Sequence, residues 1–312
     1  MVTVIIPVNN AAAFLAEAVH SADIQAEVAE ILLIEDGSTD NSLEICKKLE
    51  QEYSKVSLHQ HPGGINKGVG ASRNLGISLA KYDWIAFLDA DDYYLNNRFQ
   101  HSLSFLKGNT EYDACAEGIG AIFHDDIGKS RFLTSINLPE KTLPSSIKTG
   151  LSFDVPAENL FEELLLAENG HLHLNGFLIK KESILKTSLF NEEWPIAEDS
   201  SWFLKQAYKN KIKTFSTDKI VAIRRIHSGN RWNASLVKRL YYYSLHIKDL
   251  YNYIDYRTLS KKATKKMVWA YVRSHKSGYF QTDNKIMKIY FASLGYFYLL
   301  FNNTRLLIKA YL

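Results

Sequence analysis

The chain has 312 residues, 46% hydrophobic and 23% charged, with a formal net charge of +3, which is ordinary for a globular protein and long enough for one large domain plus an appendage with a sizeable core. Its two cysteines, Cys46 and Cys115, stand far apart with no CxxC or Cys/His spacing, which argues against a structural zinc site and a disulfide framework and fits a reducing cytosolic compartment. The charge is unevenly placed: residues 233–312 carry 14 Lys and Arg against 3 Asp and Glu, net +11, leaving 23 against 31, net −8, for residues 1–232.

The N-terminus, MVTVIIPV, lacks the basic flank and apolar run of a signal peptide and reads as a first strand, Thr3 to Pro7. Further strands are predicted at Glu30 to Ile34, Ser57 to His61, Trp84 to Leu88 and Ala114 to Phe123. Helices are predicted between them over Ala12 to Ser21, Ser42 to Tyr53 and Gly70 to Lys81, with Asp40 or Asn41 capping the second. Strands alternating with helices at this spacing imply an α/β fold with a mostly parallel sheet, whose ligands bind at the carboxyl ends of the strands. Three polar clusters fall at such ends: Asn9 and Asn10, then Glu35 and Asp36, then Asp89, Asp91 and Asp92.

The last cluster, in IAFLDADDYYL, is the most telling. An apolar strand runs into three carboxylates that raise one another's pKa, and a site that keeps them ionised supplies a cation. The glycine-rich stretch HPGGINKGVGASRNLGISLA brings Lys67 and Arg73 to a helix start, which suits an anionic group, although it matches neither a Walker loop nor a GxGxxG fingerprint. Capping and solvated-loop roles account for either feature taken singly.

Taken together, VTVIIPVNNAAAFLAEAVHS, ILLIEDGSTDNS, NKGVGASRNLGI and WIAFLDADD resemble, in order and spacing, the nucleotide-binding half of the family 2 glycosyltransferases with the GT-A fold. The resemblance is strong over residues 1 to about 125, and a weaker echo in PIAEDSSWFLKQAY and RRIHSGNRW carries it to about residue 232. It implies a GT-A catalytic domain over 1–232 followed by a basic, aromatic-rich helical region over 233–312. One departure is Asn9, in PVNN, where the family usually has an aromatic residue; this weakens any stacking role there but not the backbone turn.

The resemblance implies an inverting transfer of sugar from a nucleotide-diphosphate donor, expected to be UDP-linked, to a saccharide or lipid-linked acceptor in surface polysaccharide synthesis. On that reading Pro7, Val8, Asn9, Asp36, Lys67, Arg73, Asp89 and Ala90 bind the nucleotide sugar, with Asp36 against the base. Asp91 and His227 hold Mn²⁺ or Mg²⁺, hard oxygen ligands favouring such cations, and Asp92 lends support. Asp199 is the catalytic base, with Glu198 beside it. Arg224, Arg225 and Arg231 are candidates to grip the diphosphate, and His171, His173 and Asn175, alternating along an expected strand, are candidates to face sugar or acceptor. A non-catalytic nucleotide-sugar binding subunit would be expected to lose these acids, and a nucleotidyltransferase typically opens with a glycine-rich basic loop where this chain has VNNAAAF.

In the basic region, YYYSLHIKDLYNYI and IYFASLGYFYLLF fall short of the roughly 20 residues a bilayer-spanning helix needs. Lys and Arg interleaved with Tyr, Phe and Leu suit a helix lying on an anionic membrane, which places the protein in the cytoplasm or at the inner face of the plasma membrane; the alternative is a helical appendage packed on the first domain or a second subunit. Nucleic acid is not an expected partner, because the enzyme-like part is acidic.

Overall fold

The computed structural model describes residues 1–136, 147–215, 219–230, 242, 245–246, 249–251 and 253–274. In chain order the first half gives β1 (Val2–Val8), α1 (Leu15–Asp23), β2 (Val28–Glu35), α2 (Ser42–Glu52), β3 (Val56–Gln60), α3 (Val69–Leu79), β4 (Trp84–Phe87), β5 (Tyr93–Tyr94), α4 (Gln100–Gly108), β6 (Ala114–Ala116), β7 (Gly118–Phe123) and α5 (Asp126–Ile136). The second half gives β8 (Ile147–Thr149), α6 (Ala157–Leu166), β9 (Phe177–Lys180), α7 (Lys181–Thr187), α8 (Glu198–Lys209), β10 (Ile212–Thr214), β11 (Ile220–Ile226) and α9 (Lys261–Ser274).

Seven strands form the main sheet in the order β10-β6-β9-β4-β1-β2-β3, and four form a second sheet in the order β5-β11-β7-β8. β1 lies parallel to β2 and β4, β2 lies parallel to β3, and β9 is inserted antiparallel between β4 and β6. Every residue of β1 is buried, because helices cover both faces of the sheet. The strand period of two sorts its side chains: Ile5 joins Ile34, Ile85 and Phe87 on one face, and Val4, Ile6 and Val8 join Leu33, Ala86 and Leu88 on the other. α3 lies directly on β1 at Gly76, where a Cβ would collide with the Ile5 side chain.

The fold is the expected α/β architecture with a mostly parallel main sheet, and the first four expected strands are present. Two expectations need correction. The run Ala114 to Phe123 is two strands in different sheets, parted at Glu117. Glu117 is turned inward: its carboxylate takes Arg98 Nη1 at 2.7 Å and the Ser102 hydroxyl, and its N–H donates to Gly176 O at 2.9 Å. His171, His173 and Asn175 do not alternate along a strand; Leu174–Gly176 is a 3₁₀ turn, and β9 begins only at Phe177. Local side-chain bonding diverts the backbone here, with His173 Nδ1 accepting from the Asn175 N–H at 3.3 Å.

The described part of the basic region joins the core of the rest. Leu250, Ile254, Leu259, Ala263 and Met267 are buried in one cluster with Leu160, Phe161 and Phe203 from α6 and α8. The boundary expected near Trp232 and the run IYFASLGYFYLLF fall outside the described residues, and no described helix is long and apolar enough to cross a membrane. Met267→Ala is expected to lower unfolding free energy by about 2–5 kcal/mol, the range for deleting a buried Met or Leu side chain, measured by denaturant titration. A change within about 0.5 kcal/mol, as for an ordinary surface site, would mean that α9 does not belong to the folded core.

Candidate active site

The carboxyl ends of β1, β2 and β4 meet at one edge of the main sheet. After Pro7 and Val8, the chain turns through Asn9 and Asn10, and Asn10 adopts a left-handed backbone with φ 53°. Its Oδ1 accepts from the N–H groups of Thr39, at 2.8 Å, and Asp40, at 3.3 Å, stitching this turn to the one after β2. The backbone turn expected at PVNN is therefore present. Asp40 Oδ1 accepts from the Ser42 N–H at 2.9 Å and caps α2, whereas Asn41 makes no side-chain cap. Asp36 is buried, and its carboxylate accepts from the N–H groups of Lys67, at 2.6 Å, and Gly68, at 3.0 Å, while Asn9 Nδ2 donates to its carbonyl at 2.8 Å. It thereby ties the glycine-rich loop to β2, and the Lys67 side chain is exposed at the rim. Burial pushes the Glu35 carboxyl up, but hydrogen bonds from Ser38 and Gln60 outweigh it and hold the group below its ordinary value.

The acid cluster follows β4. Asp89 Oδ1 accepts from Arg73 Nη2 at 2.9 Å, and its N–H donates to Asn175 Oδ1 at 3.1 Å. Ala90 is buried. Asp91 Oδ2 lies 3.0 Å from His227 Nε2 and accepts from Asn230 Nδ2 at 3.0 Å. Asp92, only 2% exposed, accepts from Asn175 Nδ2 at 2.6 Å and from the Arg225 N–H at 2.7 Å. Burial, then the charges of Asp91 and Asp89, push its pKa well above the ordinary carboxylate range.

These residues suit a divalent cation. Three crowded acids, one of them resisting ionisation, are what a bound positive charge would relieve. Two separate donor sets are available: Asp91 with His227, and Asp89, Asp92 and His173, whose ligand atoms lie within 4.8 Å of one another. Burial, aided by Arg224, pushes the His173 imidazole down to about 3, so the ring is neutral at physiological pH.

Across the site stands α8. Ala197, with φ 65°, takes the left-handed conformation that a Cβ disfavours, and Glu198 and Asp199 open the helix directly after it. Glu198 is buried, its Oε1 accepting from Arg73 Nη1 at 2.8 Å. Arg73, 3% exposed, thus joins the acid cluster of β4 to the acid pair of α8. Asp199 is half-buried, accepts from the Ser200 N–H at 2.7 Å, and exerts its charge on Arg73, His171 and His173.

Arg225 serves the acid loop. Its Nη1 donates to Asp91 O at 2.8 Å, its Nη2 pairs with Glu17 at 2.5 Å, and its guanidinium lies over Phe14 and Tyr93. Arg224 acts electrostatically on Asp92, His171 and His173, and Arg231 lies outside the described residues. Sequence reasoning passed over Phe14, packed on His227 with ring centroids 5.1 Å apart, and Asn230, Arg98 and Glu117. Only Asn230 left a trace, by its place in RRIHSGNRW.

Acids clustered after the central strands of a GT-A-type α/β sheet mark the candidate site, and comparison with known proteins assigns the family. The family model described as Glycosyl transferase family 2 matches residues 3–166, and the chain belongs to that family. Among curated relatives, glycosyltransferase GlyG of Streptococcus pneumoniae is 30% identical over 62% of this chain and 58% of its own length. A glycosyltransferase of Haemophilus influenzae is 36% identical over 35% of this chain and 43% of its own, so the chain spans about half the length of these relatives. The chondroitin synthase of Pasteurella multocida is 30% identical over 74% of this chain but 21% of its own length. The crystal structure of S. aureus TarS 1-349 in complex with UDP-GlcNAc superposes with a TM-score of 0.62 at 16% identity, covering 92% of this chain and 77% of that one.

The raised pKa of Asp92 has a consequence for stability. The folded state holds the Asp92 proton to higher pH than the unfolded chain does, so this group's contribution is full below the ordinary carboxylate range and is lost as pH rises through the raised pKa. In chelator, the melting temperature of the wild type is expected to fall over that interval relative to Asp92→Asn, and Mn²⁺ is expected to reduce the fall. Parallel melting profiles for the two proteins would contradict it.

Proposed function

We propose that the chain is an inverting glycosyltransferase that moves a sugar from a UDP-linked donor to a saccharide or lipid-linked acceptor in surface polysaccharide synthesis. The observation that carries the reading is the pairing of Arg73 with Asp89 on one side and Glu198 on the other, which locks a donor-side acid cluster to an acceptor-side acid pair. Family membership supports transfer, the TarS complex with UDP-GlcNAc supports a UDP-linked donor, and the chondroitin synthase supports a polysaccharide product.

Pro7, Val8, Asn9, Asp36, Lys67, Arg73, Asp89 and Ala90 form the donor side, with Asp36 and Arg73 shaping the loops around the nucleotide through the bonds described above. Asp91 and His227 would hold Mn²⁺ or Mg²⁺, a Lewis acid that would supply positive charge opposite the diphosphate. Asp89 and Asp92 stand behind them, and Asp89, Asp92 and His173 are the competing ligand set. Glu198 is committed to Arg73, so Asp199, half-buried beside it, is the carboxylate left to take the proton from the attacking acceptor hydroxyl. The basic C-terminal region reads as a peripheral contact with anionic membrane on the cytoplasmic face, alongside its packing on the catalytic fold.

Asp91→Ala is expected to abolish Mn²⁺- or Mg²⁺-dependent donor hydrolysis and transfer while circular dichroism stays unchanged; full wild-type activity in EDTA would remove the metal from the mechanism. If His173→Ala abolishes Mn²⁺ binding and Asp91→Ala does not, the competing ligand set is the correct one.

Asp199→Asn is expected to keep UDP-sugar binding nearly unchanged and to lower turnover at least about 10²-fold, within the range for a positioned acid–base group. The product is expected to have inverted anomeric configuration by NMR. Retained configuration, or near-normal turnover of the variant, would exclude Asp199 as the base.

A further inference from the structure

The sequence makes Asn175 a candidate to face sugar or acceptor. The structure gives it another place. It is 0% exposed, in the 3₁₀ turn before β9, and all four of its hydrogen-bonding functions are engaged. Its N–H donates to His173 Nδ1 at 3.3 Å, and its carbonyl accepts from Arg98 Nε at 3.0 Å. In the side chain, Oδ1 accepts from the Asp89 N–H at 3.1 Å and Nδ2 donates to Asp92 Oδ2 at 2.6 Å.

These partners leave no freedom in the amide. A backbone N–H can only donate, so the end of the side chain that meets the Asp89 N–H has to be the oxygen, which leaves the NH₂ to face Asp92. Behind it, Arg98 is fully buried and paired with Glu117 at 2.7 Å, which fixes the turn that carries Asn175. The same turn acts on His173. Because Nδ1 accepts from the Asn175 N–H, the neutral ring carries its proton on Nε2.

We propose that Asn175 is a positioning residue for donor and cation binding: one buried amide sets the spacing of Asp89 and Asp92, and its turn fixes the His173 tautomer. Asp92 then acts through its hydrogen bonds, and Asp91 is left to meet the ligand. The inference rests on the nucleotide-sugar reading above and deepens it. Groups that orient the residues around a bound metal typically change its affinity about 10–100-fold when removed.

The test exchanges the two ends of the shortest bond. Asn175→Asp removes the donor to Asp92 and sets two carboxylates against each other. Adding Asp92→Asn restores a donor and an acceptor at 2.6 Å with the net charge unchanged, and still leaves acceptors for the Asp89 and Arg225 N–H groups. Mn²⁺ affinity is read by electron paramagnetic resonance with the metal alone, UDP affinity by calorimetry in Mn²⁺, and folding by circular dichroism.

Asn175→Asp is expected to weaken Mn²⁺ and UDP binding about 10–100-fold, and the double variant to recover to within about 3-fold of the wild type. Wild-type affinities in the single variant overturn the proposal. So does a double variant that folds without regaining Mn²⁺ binding, since Asp92 would then be needed for its charge, or one that does not fold. If the single variant does not fold, the double variant decides alone. A wild type that binds neither Mn²⁺ nor UDP would instead defeat the nucleotide-sugar reading.

Discussion

A single buried guanidinium organises this site. Arg73 lies in the middle of α3, over the ring of Phe190, and spends one nitrogen on Asp89 and another on Glu198. Burial alone would lower its pKa, but the charges of Asp89 and Glu198 outweigh that and raise it, so it is a fixed cation. Its buried Nε finds no hydrogen-bond acceptor among the described residues, a cost that the two ion pairs must cover. Breaking a buried pair of this kind typically costs about 3–5 kcal/mol, because the remaining charge is stranded. The neighbouring Asn74 reinforces the link, bonding the Phe190 carbonyl and N–H and the Glu192 carboxylate. α3 therefore grips both the loop after β4 and the segment that leads into α8. Its own seat depends on two absent side chains, Gly76 against Ile5 and Gly70 against the Asn191 carbonyl.

The carboxylates divide by burial. Asp92 and Glu198 are enclosed and bonded to protein donors, whereas Asp91 and Asp199 are half-exposed at the lip of the site. In each pair the enclosed acid is anchored to an arginine element, Asp92 to the Arg225 backbone and Glu198 to the Arg73 side chain. The anchored acids hold shape, and their neighbours are free to meet ligands. This order follows from electrostatics, since an enclosed carboxyl is tolerated only against fixed hydrogen-bond partners, while one at the lip is stabilised by water until a ligand arrives.

Much of this was legible in the sequence because the relevant signals are local. The apolar runs of β1, β2 and β4, each followed at once by polar residues, locate the site at the strand ends without any knowledge of the contacts across it. Contacts between distant residues were not legible. Nothing in ACAEGIGAIF marks Glu117 as a break, because the break depends on Ser102 in α4 and Arg98 in the turn before it. Asn175 sits in an alternation of polar and apolar residues that imitates a strand, and only its four partners reveal the turn. In the basic region, Leu259, Ala263 and Met267 recur every four residues, a helical stripe that serves equally for a protein core or a lipid surface. The sequence carries the stripe but not its partner, which is α6 and α8.

The break at Glu117 also bears on how the molecule can move. β6 ends at Ala116 in one sheet and β7 begins at Gly118 in the other, so one enclosed residue is the entire connection. Its side chain is clamped by Arg98 and its N–H by the turn that carries Asn175. A joint that short and that bonded leaves β6 and β7 no room to hinge against each other. Closure around a substrate is then left to the surface segments: the glycine-rich loop between β3 and α3, where Gly63, Gly64 and Gly68 have positive φ, and the turn after β11 that ends in Asn230. Entry and release become questions of loop kinetics, on a timescale set by a few backbone torsions and independent of the stiffness of the sheets.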